Sequence, residues 1–434
     1  MTNAKENDVH VPGWPESRPA IWWIAVLSAL PVVTALLSFR VDGEFAFWQL
    51  IARQFWLPSQ LFEIATIVFA LSRGCDVQKE WAGLGGKVKS LAALWLLSIL
   101  LATTFAETPN TAVLSLISWT IHSLFAVSAL FLLRRWRSSS QGYRGNITIM
   151  FADAMPIGST AFVSLMVIFM VMVGISSDYD WVSSLPGFTH IRHSGYFLMP
   201  AIALSTGMIA SHEGKRRHLH LVLLAINFGF AIWIGSRGPL MAYFGVLAAA
   251  VLLFAMMRNA RTIGTITLAL AGGAILSQAI PTPDHSSFNA VARFEGSNSQ
   301  SADKLSSGRT EIWRDTWRGV LEQPVLGHGG NQFRLQVPAA KETYNHPHNS
   351  VLQFAYEWGL FGAAAMLCLL ALLGGRLVRF TFAYPRQNLA LFLAASSMAL
   401  FSLIDGVFYY NLPIMLFLIC AFGILAQTEP DSKQ

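Results

Sequence analysis

Charged residues are scarce in this chain, at 12% of 434 positions against 54% hydrophobic, where a soluble domain carries about 25% charged residues. That shortage excludes an ordinary soluble domain. Cysteine is rarer still. Cys75, Cys368 and Cys420 fall in one short polar loop and two apolar stretches, a distribution that suggests no disulfide or thiolate metal site and leaves them as packing residues. There is no Gly-rich phosphate loop closing on Lys and Ser/Thr, no His-Glu-x-x-His and no nucleophile elbow, so nucleotide-driven and zinc mechanisms find no support. Residues 1–20 lack the basic region and apolar core of a cleaved signal peptide, so the first apolar helix is expected to direct insertion.

What the chain does have is apolar runs. They are centred on about residues 20–38, 55–72, 90–105, 111–133, 157–175, 195–211, 219–235, 239–257, 262–280, 351–374, 388–404 and 412–427, each near the length needed to cross roughly 30 Å of hydrocarbon. The expected fold is therefore all-α, a single polytopic membrane domain over 1–434 with about twelve transmembrane helices. Net charge is +6, but the placement of the basic residues argues for membrane topology rather than nucleic-acid binding. Lys and Arg concentrate in alternate loops, among them 73–89, 134–144, 215–217, 258–261 and 376–386, which marks those loops as cytoplasmic. Both termini, the tails 1–19 and 428–434, then fall on the cytoplasmic side.

One connection breaks the pattern of short loops. Residues 281–349, between the ninth and tenth apolar helices, stay outside for roughly seventy residues where typical connections run about 4–6. Long ordered loops usually carry function. Within it, GRTEIWRDTWRGVLEQP reads as a helix: Ile312, Trp313, Thr316, Trp317, Val320 and Leu321 recur at spacings of three and four, and Pro324 stops it. Its Trp-rich face suits the membrane surface.

The groups able to do chemistry crowd the outer helix ends, and they are Arg and His. Ser236-Arg237-Gly238-Pro239 places an arginine next to hydrocarbon, where it faces either headgroups or an anionic ligand. His346-Pro347-His348-Asn349-Ser350 precedes an apolar helix. Pro347 keeps the segment non-helical, Asn349 or Ser350 can cap, and an imidazole parked there can take a proton from a hydroxyl. Arg309 opens the loop helix, where a guanidinium fork suits phosphate oxygens. Arg314 and Arg318 share a helix face that reads first as solvated, and Arg192 beside His193 adds a weaker cationic position. Asp178-Tyr179-Asp180 resembles a short cation-binding pair, but arginines already supply positive charge. The two histidines have no nearby Cys or well-spaced carboxylate to complete a metal site. No metal and no cofactor are expected.

Taken in order, Ser-Arg-Gly at an outer helix end, Gly-Arg-x-x-Ile-Trp at 308–313, Pro-Val-Leu-Gly-His-Gly at 324–329 and His-Pro-His-Asn-Ser at 346–350 resemble the O-antigen ligase and polymerase superfamily of bacterial envelope assembly. The motifs cover about residues 190–375. The resemblance implies a metal-independent, inverting glycosyltransferase of the bacterial inner membrane, with its active site on the periplasmic face. The donor would be a glycan on undecaprenyl pyrophosphate and the acceptor a sugar hydroxyl of lipid A core. It implies pyrophosphate binding by Arg237, Arg309 and, less directly, Arg192. Hydroxyl activation would fall to His348 or His346, with Arg314, Arg318 and Asn349 as weaker candidates. Polymerases of this superfamily often carry an Arg, ten residues and a Gly in two outer loops. Arg318 and Gly329 fit that spacing but Arg192 has no such glycine, which favours the ligase branch over a polymerase. A twelve-helix transporter is the reading from another class, but such proteins carry ionisable groups at mid-membrane and show internal repeats, and neither is apparent here.

Overall fold

A computed structural model of the chain describes residues 17–38, 56–139, 147–174, 179–183, 185–188, 190–283, 288–295, 309–340 and 344–427. Among these, every regular element is a helix. Each apolar run coincides with one: Ser17–Ser38, Trp56–Ser72, Gly86–Thr104, Pro109–Ser139, Ile147–Val173, Gly195–Ser211, Gly214–Trp233, Arg237–Leu253, Ala260–Ala279, Ser350–Ala383, Pro385–Phe401 and Asn411–Ala426. Seven described spans are long and apolar enough to cross a membrane, and Leu57–Ser72, Arg237–Leu253 and Asn411–Ala426 are shorter apolar helices. The chain is an all-α, multi-pass membrane protein.

The Gly195–Ser211 helix is apolar on every side, so it can be stable only with protein all around it. It is buried along nearly its whole length, packed against Pro385–Phe401, Gly214–Trp233 and Ile147–Val173. Small residues set these distances, since helices in lipid associate by close packing rather than by expelling water. A Cβ on Gly207 would overlap the Ala390 backbone, and one on Gly229 would come within 2.6 Å of the Gly273 carbonyl. This central helix ends, on the side of the long loop, at Tyr196 and Gly195.

A second device places that loop. The Ser350–Ala383 helix breaks at Gly359, whose φ is +70°, a conformation that costs any residue with a Cβ. The break releases the Tyr356 and Glu357 carbonyls. These accept hydrogen bonds from the amides of His328 (2.8 Å) and Gly329 (2.9 Å), while the Leu360 amide donates to the Pro324 carbonyl (2.7 Å). The segment 324–329 thus docks on the opened helix, where every freed backbone group in an apolar setting needs a partner. His328 stacks on Tyr356 at 4.3 Å and reaches the Gly319 carbonyl at 2.8 Å, which ties the Arg309–Glu322 helix to the same place.

At Gly359 a Cβ would overlap the Val325 carbonyl. Gly359→Ala is therefore expected to cost at least the roughly 1–3 kcal/mol of a strained backbone position. It should lower the thermal unfolding midpoint of the detergent-solubilised protein and loosen the segment 324–329, read as faster protease cleavage there.

Candidate active site

Two helix ends, the segment before the Ser350–Ala383 helix and one connecting turn meet at the carboxylate of Asp405. Its Oδ1 accepts from the Tyr196 hydroxyl at 2.9 Å, from the Gly406 amide at 2.7 Å, and pairs with His348 Nδ1 at 3.1 Å. Its Oδ2 lies 3.7 Å from an Arg309 guanidinium nitrogen, and Arg309 also donates to the Ile404 carbonyl. Burial alone would raise the Asp405 pKa. The hydrogen bond from His348 first, then the charge the two histidines carry whenever protonated and the charge of Arg309, outweigh it and hold the carboxyl well below the usual carboxylate range. An ionised Asp405 can only accept, so His348 presents Nδ1–H to it and leaves Nε2 as the free base.

The HPHNS segment is fixed from several sides. Asn349 caps the Ser350–Ala383 helix by accepting from the Leu352 amide at 3.0 Å and donates to the Leu403 carbonyl at 3.0 Å. Trp313 donates its indole N–H to the Pro347 carbonyl at 2.8 Å. One of the loop tryptophans is thus turned into the site rather than toward a membrane surface, while Trp317 is exposed. His348 has φ +53°, uncommon for a non-glycine and typical of over-determined sites. Its amide donates to His346 Nδ1 at 3.1 Å. The His346 ring is buried and lies so close over Gly406 that any Cβ there would overlap it. It packs against Tyr409 at 5.0 Å and Tyr410 at 5.4 Å. His346 is therefore a packed support and His348 the half-exposed imidazole.

Arg192, Arg237 and Arg309 share the site, their charges acting on one another. Gly235, with φ +72°, ends the Gly214–Trp233 helix so that Arg237 opens the next one. Gly238 lets that turn approach Phe401, whose ring a Cβ would meet at 2.9 Å. Arg192 Nε and Ser236 Oγ are buried without a hydrogen-bond partner among the described residues, and an acceptor oxygen would satisfy both. Arg314 and Arg318, by contrast, are exposed on the far face of the loop helix, Arg318 pairing with Asp315 at 3.1 Å. They are not brought to the site, because the buried stripe Ile312, Thr316 and Val320 turns them to solvent.

Sequence reading missed Asp405, Tyr196, Tyr409 and Tyr410. The only available signal was an acid in an outer turn between two apolar helices. The carboxylate that the two histidines lack in sequence is Asp405: ligand atoms of His346, His348 and Asp405 all lie within 4.8 Å of one another. In this geometry they are engaged in hydrogen bonds to each other and stand beside Arg309, an unfavourable neighbour for a cation. Asp178 lies outside the described residues, and Asp180 accepts from the Val182 and Ser183 amides as a local turn.

Fold and site define a multi-pass helical membrane protein with an arginine-rich cluster and a carboxylate-oriented histidine at one face. Residues 221–367 match the O-antigen ligase family model, a span that holds Arg237, Arg309, His346, His348 and Gly359 but not Arg192 or Asp405. An O-antigen ligase of Pseudomonas aeruginosa is 29% identical over 192 residues, 44% of this chain and 41% of the relative. The chain is thus aligned with less than half of that relative's length. Both matches support membership of the chain in the O-antigen ligase superfamily.

Burial, and next the charge of His348, hold the His346 imidazole well below its ordinary pKa, against Asp405, which pulls the other way. The folded chain keeps it neutral while an unfolded chain would bind a proton below about pH 6.5. Stability from this residue is therefore present above that pH and lost as pH falls. Between about pH 7.5 and 5.5 the thermal midpoint of the wild type should drop further than that of His346→Gln, by about 2 °C or more. Equal drops would show that His346 is not the buried neutral group described.

Proposed function

We propose that the chain is a metal-independent, inverting glycosyltransferase of the ligase type. It would move a glycan from undecaprenyl pyrophosphate to a sugar hydroxyl of lipid A core on the periplasmic face of the bacterial inner membrane. The observation that carries this reading is the His348–Asp405 pair standing beside three arginines. His348 Nε2 takes the proton of the acceptor hydroxyl, whose oxygen forms a bond to the anomeric carbon. The bond from that carbon to the pyrophosphate breaks with its electron pair going to the leaving oxygen, and Arg309, Arg237 and Arg192 balance the growing charge. Attack opposite the leaving group inverts the centre. Asp405 orients the imidazole and stabilises it once protonated, the role of the carboxylate in other His-based sites. A polymerase would share this chemistry and differ in acceptor. The incomplete Arg-x10-Gly pairing favours the ligase.

The test is transfer by the purified, reconstituted protein from an undecaprenyl-pyrophosphate oligosaccharide to core lipopolysaccharide or to a second donor molecule. Transfer to core alone supports the ligase, whereas chain growth on lipid-linked donor replaces it with the polymerase. His348→Ala should lower the rate about 10²- to 10⁴-fold with donor affinity retained, and Asp405→Asn about 10²-fold or more. Arg237→Lys and Arg309→Lys should recover little of the donor binding lost in the alanine variants, because an ammonium cannot form the bidentate fork. EDTA should leave transfer intact. If it abolishes activity and Zn²⁺ or Mn²⁺ restores it, His346, His348 and Asp405 form a metal centre and the base assignment falls.

The same reading puts 281–349 on the periplasmic side and the tails 1–19 and 428–434 in the cytoplasm, from the loop charge asymmetry. In a cysteine-free background, Glu311→Cys should react with an impermeant thiol reagent in intact spheroplasts and Gln78→Cys should not. The reverse pattern overturns the orientation.

A further inference from the structure

Tyr344 is in ring contact with His348 and within electrostatic reach of the arginine cluster. Its amide donates to the Ala340 carbonyl at 3.0 Å, so the Pro338–Ala340 turn fixes its backbone. Its ring meets the His348 imidazole edge to face, centroids 5.5 Å apart and planes at 80°. It is also within electrostatic reach of Arg192. The neighbouring phenols are engaged: Tyr196 donates to Asp405 at 2.9 Å, Tyr409 to Asn331 at 3.3 Å, and Tyr410 pairs with His193 at 3.4 Å. The Tyr344 hydroxyl alone of the four makes no hydrogen bond among the described residues, and it is not a buried atom. A half-buried ring held on a fixed backbone with a free hydroxyl is an apolar body with a polar handle aimed outward.

We propose that Tyr344 is a catalytic residue that donates a hydrogen bond to the oxygen joining the anomeric carbon to the pyrophosphate. The inference rests on the glycosyl-transfer reading above. If the phosphates lie on the guanidinium groups and the acceptor hydroxyl on His348 Nε2, the bond that breaks must lie between them, and Tyr344 borders both. As that bond breaks, its electron pair collects on the bridging oxygen, and a preorganised donor there gains strength in the transition state. The acceptor's proton goes to His348, so Tyr344 keeps its own proton throughout and needs none returned.

The experiment compares Tyr344→Phe, Tyr344→His and Tyr344→Leu with wild type in proteoliposomes, using an undecaprenyl-pyrophosphate oligosaccharide and core lipopolysaccharide. Affinity is measured separately with unglycosylated undecaprenyl pyrophosphate. Tyr344→Phe keeps the ring and should lower kcat about 10- to 10³-fold, the range for losing one oxyanion donor. Affinity for the bare carrier should stay within about twofold of wild type, since the bridging bond is absent from it. Tyr344→His restores a donor and should recover part of the rate, whereas Tyr344→Leu should not. A kcat for Tyr344→Phe equal to wild type overturns the inference while leaving the glycosyl-transfer reading intact. If Tyr344→Phe fails to insert, equal rates in Tyr344→His and Tyr344→Leu overturn it instead. Absence of transfer by wild type with either acceptor removes the underlying reading, and this inference with it.

Discussion

The site depends on one half-buried carboxylate. Withdrawing Asp405 from water is costly unless its lone pairs are filled, and the fold fills them from separate parts of the chain. Tyr196 comes from the central helix, Arg309 from the loop helix, His348 from the segment before the Ser350–Ala383 helix, and the Gly406 amide from its own turn. Satisfying the anion therefore forces those elements together. Because the His348 hydrogen bond and the charge of Arg309 help hold the carboxyl far below the usual range, the anion persists at any working pH, and the orientation it gives the His348 ring persists with it.

A second constraint keeps those elements in register with the membrane helices. The break at Gly359 exposes carbonyls that the segment 324–329 must cover, and that segment is contiguous with the helix that begins at Arg309. Trp313 then closes the circuit by donating to Pro347. The positive φ of His348 is paid for by this surround: its amide has a partner in His346, the next residue caps a helix, and the His346 ring fits over a glycine. Strain of this kind survives only where neighbours over-determine it, and here the neighbours come from both the loop and the last two helices.

Much of the fold was legible because apolar runs of membrane length leave the backbone little choice but helix. The cations were legible in part. Arg237, Arg309 and Arg192 converge, since each stands at a helix end or in the turn before one, whereas the i, i+4 pair Arg314 and Arg318 share a solvent face. Asp405 was not legible. It is 57 residues from His348 and stands in SLIDGVFYYN with no motif around it, so only tertiary contact gives it a role. The same holds for Pro-Val-Leu-Gly-His-Gly. Its spacing was visible, but its physical meaning lies in Gly359, whose left-handed backbone no periodicity announces.

The charge balance of the site links the imidazole to the arginines. Among the described residues one carboxylate faces three guanidinium groups, an excess of positive charge, and Arg192 Nε and Ser236 Oγ are buried without acceptors. Like charges held close in a poorly solvated place repel, and an anion rich in acceptor oxygens relieves both the repulsion and the unmet hydrogen bonds. Asp405 cannot do this alone, because its oxygens are already shared between orienting His348 and restraining Arg309. The arginine cluster and the imidazole are therefore coupled through a single side chain, because Arg309 and His348 share the one Asp405 carboxylate.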